Sequence, residues 1–231
     1  MLELYFAPTP NGWKISIMLE EAGLPYRVVP VRIDQGEQYG DAFRSISPNG
    51  RIPALVDPDA EAGEMAIFES GAILLYLAEK SGQFIPSDIA GRYAVTQWLM
   101  WQMSGLGPMA GQNGHFLLYA PERIEYAMAR YDKEVRRLYG VLDRQLEQTG
   151  ACIAGDYSIA DMACFPWIMT HKKQGLTLDD YPALKRWYRE LRERPALQRG
   201  LALGKDGLNA AAGMSDEQRA RFYGYDKAGQ A

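Results

Sequence analysis

Cysteine and histidine are both scarce in this chain, two of each in 231 residues. Cys152 and Cys164 are too few for a disulfide scaffold and fit a reducing, cytoplasmic setting. A chain of this length, 47% hydrophobic, can bury a sufficient core without staples. His115 and His171 lie far apart without metal-ligand spacing, so no metal site is expected. Missing too are a CxxC pair, a Gly-Lys-Ser/Thr phosphate loop, a G-x-G-x-x-G after a strand and a G-x-S-x-G elbow. Positive charge is not in excess: Lys+Arg 25 against Asp+Glu 29 leaves −4, which offers nucleic acid no footprint and a membrane surface no basic stripe. The opening MLELYFAP lacks a basic region before an apolar run, so no secretory signal is expected. The uncharged stretch 93–121 is long enough to span a bilayer. It is interrupted by Gln97, Gln102, Gly105, Gly107, Pro108, Gly111, Gln112 and Asn113, and reads instead as a buried helix followed by a glycine-rich bend.

What is present begins with alternation. Leu2 to Phe6 reads as a strand, closed by the turn-prone Ala7-Pro8-Thr9-Pro10-Asn11-Gly12. Trp13 to Ala22 reads as a helix, with Ile15, Met18, Leu19 and Ala22 at helical spacing and Gly23 as its stop. Tyr26 to Ile33 is a second strand, completing a βαβ unit. Ala54 to Asp57 and Met65 to Phe68 form an antiparallel pair, and Ser70 opens a helix that ends near Gly82. After Pro86 the signals are helical. Ile124, Met128, Tyr131, Val135, Leu138, Leu142 and Leu146 mark one stripe of a long helix. Ser158 with Asp161 forms a capping box, and Pro182 suits a first helical turn. The expected architecture is an α/β domain over 1–82 (βαβ-ββα) and an all-α domain over 88–231. Ser215 with Gln218 would open a short last helix, after a loosely structured 205–213.

Three segments stand at strand ends or helix starts: Pro8-Thr9-Pro10-Asn11-Gly12, Ser47-Pro48-Asn49-Gly50-Arg51-Ile52-Pro53 and Phe68-Glu69-Ser70-Gly71-Ala72-Ile73. The first lies where a thioredoxin-like unit would carry its redox cysteines. Each alone has a bland explanation in turn residues, an extended X-Pro pair or a helix cap; their order and spacing together are specific. On these segments, and on Tyr157-Ser158-Ile159-Ala160-Asp161, nearly the whole chain resembles the glutathione transferase superfamily. With Trp98 to Gln112 it is most similar to the bacterial nu-class glutathione-dependent disulfide-bond reductases.

The resemblance implies a thioredoxin-like domain, an all-helical domain, a homodimer and glutathione as cosubstrate, reduced or as the disulfide. It implies Thr9 and Asn11 at the sulfur as the catalytic pair. Gln38, Ile52, Glu69, Ser70 and Arg130 would bind the tripeptide, and a cis Ile52-Pro53 bond would turn the Ile52 backbone toward it. Arg51 is a further candidate, for the glycyl carboxylate. The chemistry of each residue agrees. Ser70 at a helix N-terminus offers a hydroxyl and free N–H groups to the γ-glutamyl carboxylate; Glu69 can hold the ammonium; Ile52 can pair with the cysteinyl backbone like an added strand. Asn11 neither ionises nor forms covalent intermediates, so the nucleophile comes with the cosubstrate. Three functions remain open on the residues: reduction of a small disulfide, conjugation of glutathione to an electrophile, or non-catalytic glutathione binding. Phe222, Tyr223 and Tyr225 in the tail are candidates to cover the second-substrate pocket.

Overall fold

A computed structural model describes residues 1–61, 63–204, 215 and 218. It divides into two units, one of 1–77 joined by 198–204, the other of 78–197. The tail aromatics and the 205–213 connection lie outside the described residues. Ser215 and Gln218 exchange the bonds of a cap: Gln218 N donates to Ser215 Oγ at 3.2 Å, and Ser215 N to Gln218 Oε1 at 2.9 Å.

In the first unit β1 (Leu2–Phe6) pairs in parallel with β2 (Tyr26–Pro30) and antiparallel with β3 (Ala54–Asp57), which pairs antiparallel with β4 (Met65–Phe68). The order is β2-β1-β3-β4. Leu4 faces Val28 on one side and Leu55 on the other, and β3 is buried at every position. The sheet is the mixed four-stranded sheet of a thioredoxin-like domain. The second strand stops at Pro30, three residues before the expected end. Val31 N still donates to Phe6 O at 2.8 Å, after which β1 has run out into Pro8 and the chain turns, Ile33 N bonding Val31 O. A 3-10 turn (Glu37–Tyr39) and a single helical turn α2 (Asp41–Arg44) follow, neither signalled by periodicity.

Helix α1 spans Pro10–Ala22, starting three residues before the expected Trp13. The run read as a turn is the start of the helix: Pro10 stands in the first turn, where its missing N–H costs nothing, and Thr9 caps it. Gly23, at φ 64°, ends it. One face of α1 is covered by 199–203. Ser16 Oγ donates to Gly200 O at 2.8 Å, Trp13 Nε1 to Leu203 O at 3.3 Å, and Arg199 pairs with Glu20 at 2.7 Å. Gly200 is needed there, since a Cβ would lie 2.7 Å from Ile17 Cα and N. Helix α3 (Ser70–Ser81) follows β4 directly.

The second unit is helical: α4 (Ile89–Trp101), α5 (Gly107–Gly114), α6 (Glu125–Thr149), α7 (Ile159–Met169), α8 (Pro182–Arg192) and α9 (Pro195–Ala202), the last running on into the first unit. The expected glycine-rich bend is not a bend. Two π-helical segments, Gln102–Leu106 and His115–Tyr119, flank α5 and keep 89–119 helical. Gly107 and Gly111 leave room for the Trp167 ring, whose atoms would sit 3.4 Å from an added Cβ at either position. On α6 the buried stripe is Val135, Leu138, Leu142 and Leu146, while Ile124 stands exposed at the N-cap, a turn short of where packing begins. The capping box at Ser158 is formed, and Asp161 collects four donors: Ile153 N and Trp187 Nε1 on Oδ1, Ser158 N and Oγ on Oδ2. Among the described residues no helix is long and apolar enough to cross a membrane, and no group of His, Cys, Asp and Glu is arranged to hold a metal ion.

Candidate glutathione site

The three segments singled out in the sequence all belong to the first unit. At the end of β1 the chain tightens, Thr9 N donating to Ala7 O at 2.8 Å. Thr9 takes extended backbone angles and its Oγ1 accepts from Gly12 N at 3.3 Å. A hydroxyl that accepts one hydrogen bond keeps its own proton to donate, so the cap orients Thr9 and leaves its O–H available. Asn11 follows, half-buried in the first turn, which carries no acidic side chain to offset the positive end of the helix dipole. Gly12 does more than turn the chain: a Cβ there would stand 2.2 Å from Ala7 O.

The second segment is pinned from below. Buried Ser47 donates from Oγ to Arg51 O at 2.9 Å, and Gly50 N donates to Ser47 O at 2.8 Å. Gly50 takes φ 61°, and an added Cβ would approach Gln38 O to 3.2 Å. Ile52-Pro53 is cis. Arg51 is exposed. Gln38 is 3% exposed; its Nε2 donates to Ile33 O at 3.3 Å and its Oε1 is without a hydrogen-bond partner.

At the third segment Glu69 is held at φ 70°, a left-handed conformation costly for a residue with a Cβ. Its exposed carboxylate accepts from Asn49 Nδ2 at 3.4 Å, tying the second segment to the third. Ser70, 4% exposed, begins α3 and receives a hydrogen bond from Lys14 Nζ at 3.3 Å, which ties α1 to the third segment. Arg130 lies in the other unit, exposed on α6, where with Arg137 it helps hold the Glu134 carboxyl below its ordinary value.

Lys14 was not singled out in the sequence, although Lys14, Met18 and Ala22 share a spacing of four, which sets a charge in register with an apolar face. Asn49 and the close approach at Gly12 were missed for another reason: turn residues explained them already.

Matches to known families follow the same division. The glutathione S-transferase N-terminal domain matches residues 1–79, and the C-terminal domain of that family matches 106–195. The chain belongs to the glutathione S-transferase family. Among relatives of this family, the disulfide-bond oxidoreductase YfcG of Escherichia coli strain K12 is 51% identical over 203 residues, covering 87% of this chain and 94% of its own. A glutathione transferase from Burkholderia graminis, solved with two glutathione molecules bound per subunit, superposes with a TM-score of 0.83 at 46% identity, covering 89% of each chain. A transferase from Pseudomonas putida, solved with one glutathione disulfide per subunit, superposes at 0.81 and 45% identity, covering 87% of this chain and 91% of that one. The transferase fold of this chain is the one in which those ligands were captured.

The strained Glu69 yields a separable prediction. Glu69→Gly removes the left-handed penalty of about 1–2 kcal/mol but adds unfolded-chain entropy of about 0.5–1 kcal/mol. Its unfolding free energy in a urea titration is therefore expected to equal or exceed that of the unaltered chain by up to about 1 kcal/mol. If Glu69 holds the tripeptide's ammonium, as the resemblance implies, glutathione affinity should nevertheless fall at least ten-fold. A clear loss of stability would mean that the carboxylate serves the fold rather than a ligand.

Proposed function

We propose that this chain is a nu-class, glutathione-dependent disulfide-bond reductase whose nucleophile is the thiolate of bound glutathione. The observation that carries the reading is the state of the two thiols. Burial pushes Cys152 up to about 12, with the Asp161 carboxylate adding to the effect, and Cys164 is fully buried in α7. Cys152 is therefore no thiolate near neutral pH, burial keeps Cys164 from any substrate disulfide, and both lie in the helical unit rather than after β1. The relatives support the substrate class: one is named a disulfide-bond oxidoreductase, and two hold glutathione pairs, free or joined.

In this reading the glutathione thiol lies over the start of α1. Lowering its ordinary value of ~8.5 by about two pH units takes roughly 2.7 kcal/mol of preferential stabilisation of the thiolate. The Thr9 hydroxyl proton, the Asn11 side chain or backbone N–H and the uncompensated helix dipole are the sources. The thiolate attacks one sulfur of the substrate disulfide, forming a glutathione mixed disulfide and releasing the other half as thiolate. A second glutathione thiolate then attacks the mixed disulfide, yielding oxidised glutathione and the remaining substrate thiol. Two glutathiones are oxidised and one disulfide is reduced to two thiols, with no protein sulfur in the cycle. Gln38, Arg51, Ile52, Glu69 and Ser70 hold the tripeptide, with Arg130, of the same subunit or of its partner, as the remaining binding residue. The exposed apolar side chains Ile89, Tyr93 and Met100 on α4, with Tyr126 on α6, favour a homodimer built on those helices.

The test is the double variant Cys152→Ser, Cys164→Ser, assayed with glutathione on a hydroxyalkyl disulfide and on an aromatic halide. Turnover of the disulfide within about two-fold of the unaltered chain, and well above the rate on the halide, is expected. Loss of disulfide turnover with the fold intact by circular dichroism would exclude the cysteine-free cycle, and preference for the halide would make the chain a conjugating transferase.

A further inference from the structure

We propose that Trp13 is a positioning residue for the thiol of bound glutathione: the segment 200–204 grips the turn that carries Thr9 and Asn11 from both sides, and the Trp13 indole is its catch. The inference rests on the glutathione reading above and deepens it. Thr9 and Asn11 lie between two points at which this segment meets the start of α1. On one side Gly204, at φ 78°, lies against Pro8; a Cβ there would stand 2.9 Å from Pro8 Cβ and 3.2 Å from Phe6 Cε1. On the other side Trp13 Nε1 donates to Leu203 O at 3.3 Å, across 190 residues of sequence. One turn further along α1, Ser16 Oγ donates to Gly200 O at 2.8 Å. All of these residues belong to the first unit.

The catch acts on Thr9 through the backbone. Trp13 N donates to Thr9 O at 3.0 Å, so the residue whose indole meets Leu203 also closes the first helical turn onto the peptide of Thr9. Thr9 is set in turn by Gly12 N on its Oγ1 and by its own N–H on Ala7 O. The glycines of the segment argue for close approach rather than coverage. Larger side chains would bury more apolar area on α1, and glycine adds unfolded-chain entropy. Gly200 and Gly204 instead bring backbone against Ile17 and Pro8, where a Cβ would collide. Groups that stabilise a thiolate have to be held to within about 0.5 Å by neighbours that are themselves fixed. Gln38, Ile52, Glu69 and Ser70, which hold the peptide in this reading, lie on other segments. Loosening the catch therefore separates ionisation of the thiol from binding of the tripeptide.

The experiment compares Trp13→Phe, which keeps a ring and removes the donor, with Arg199→Ala, which breaks the pair with Glu20 near the other end of α1. Glutathione affinity is measured by calorimetry at about pH 5, where the bound thiol is protonated and its ionisation does not enter the affinity. Ionisation of the bound thiol is followed by thiolate absorbance against pH, with S-methylglutathione as blank, and kcat on a hydroxyalkyl disulfide is measured over the same range. Trp13→Phe is expected to bind glutathione within about two-fold and to raise the pKa of the bound thiol by about one unit. Its kcat should fall about ten-fold at pH values below that pKa, the loss shrinking as pH rises past it. Arg199→Ala should leave all three quantities within about two-fold. A bound thiol that ionises at the same pH in Trp13→Phe as in the unaltered chain, a loss of kcat equal at every pH, or equal shifts in both variants would show a purely structural contact. Should Trp13→Phe fail to fold, Gly204→Ala decides, because its Cβ presses on Pro8 while the indole stays. The same rise in thiol pKa is expected, and no rise overturns the proposal. If the unaltered chain lowers the thiol pKa but only conjugates halides, the functional reading falls and the inference stands. If it reduces disulfides while neither variant moves the thiol, the inference alone fails.

Discussion

Gly12→Ala is expected to reduce glutathione-dependent disulfide turnover about 100-fold and to destabilise the chain by about 3 kcal/mol, although helix propensity alone predicts the opposite sign. Alanine is favoured over glycine in a helix interior by about 0.8–1.0 kcal/mol. That gain is outweighed by the Cβ, which would stand 2.2 Å from Ala7 O and 3.0 Å from the Phe6 ring. The first obstacle is backbone at the end of a central strand, so the helix start must move instead. Moving it disturbs the Gly12 N–H that orients Thr9, and a displacement of about 1 Å at reacting groups costs on the order of 100-fold in rate. Gly114→Ala is the control. It also lies in a helix, its Cβ would meet nothing within 4 Å, and it should gain up to about 1 kcal/mol in a urea titration without loss of turnover. Equal behaviour of the two variants would show that the approach at Ala7 is not tight.

The largest effect on stability is expected at Asp161. The residue is fully buried and its two oxygens accept from Ile153 N, Trp187 Nε1, Ser158 N and Ser158 Oγ. Asp161→Ala leaves four donors without their acceptor inside the helical unit. At about 1–3 kcal/mol for each buried donor left unmade, with relaxation and water recovering part, the loss is of order 5 kcal/mol. For a chain of this size that is a fall in melting temperature of roughly 10–20 °C.

Its pH dependence has a defined sign. Burial raises the Asp161 carboxyl to about 6, above its ordinary 3.8, and outweighs the four hydrogen bonds that act in the other direction. The folded state therefore binds this proton more tightly than the unfolded chain, so ionisation of Asp161 opposes folding at neutral pH, and the penalty fades as pH falls from about 6 to about 4. Asp161→Asn does not titrate. The stability of the unaltered chain relative to that variant should thus rise on acidification from pH 7 to pH 4, by as much as about 3 kcal/mol. A relative stability that falls over the same interval would show that the four donors dominate over burial.

The sequence by itself determined what depends on neighbours within a few residues. The Ser158–Asp161 box, the proline start of α8, the stop at Gly23 and the strands of the first unit are local hydrogen bonds, fixed dihedrals and alternation, written in adjacent side chains. The three segments that build the candidate site were legible for the same reason, since each is a short run with its own turn or cap chemistry. Local signals also misled: glycines between 105 and 114 read as a bend, whereas two of them leave space for Trp167 and the chain stays helical through π segments.

What joins the segments was decided by the tertiary structure. Lys14 meets Ser70 across 56 residues, Asn49 meets Glu69 across 20, and Ser16 meets Gly200 across 184. Such pairs follow from which faces of the sheet and of α1 are buried together, and a side chain's own neighbours in sequence carry no trace of that choice. Lys14 illustrates the difference. In the sequence it is a charge on an otherwise apolar helix face, and only the fold turns that charge inward onto the serine at the head of α3.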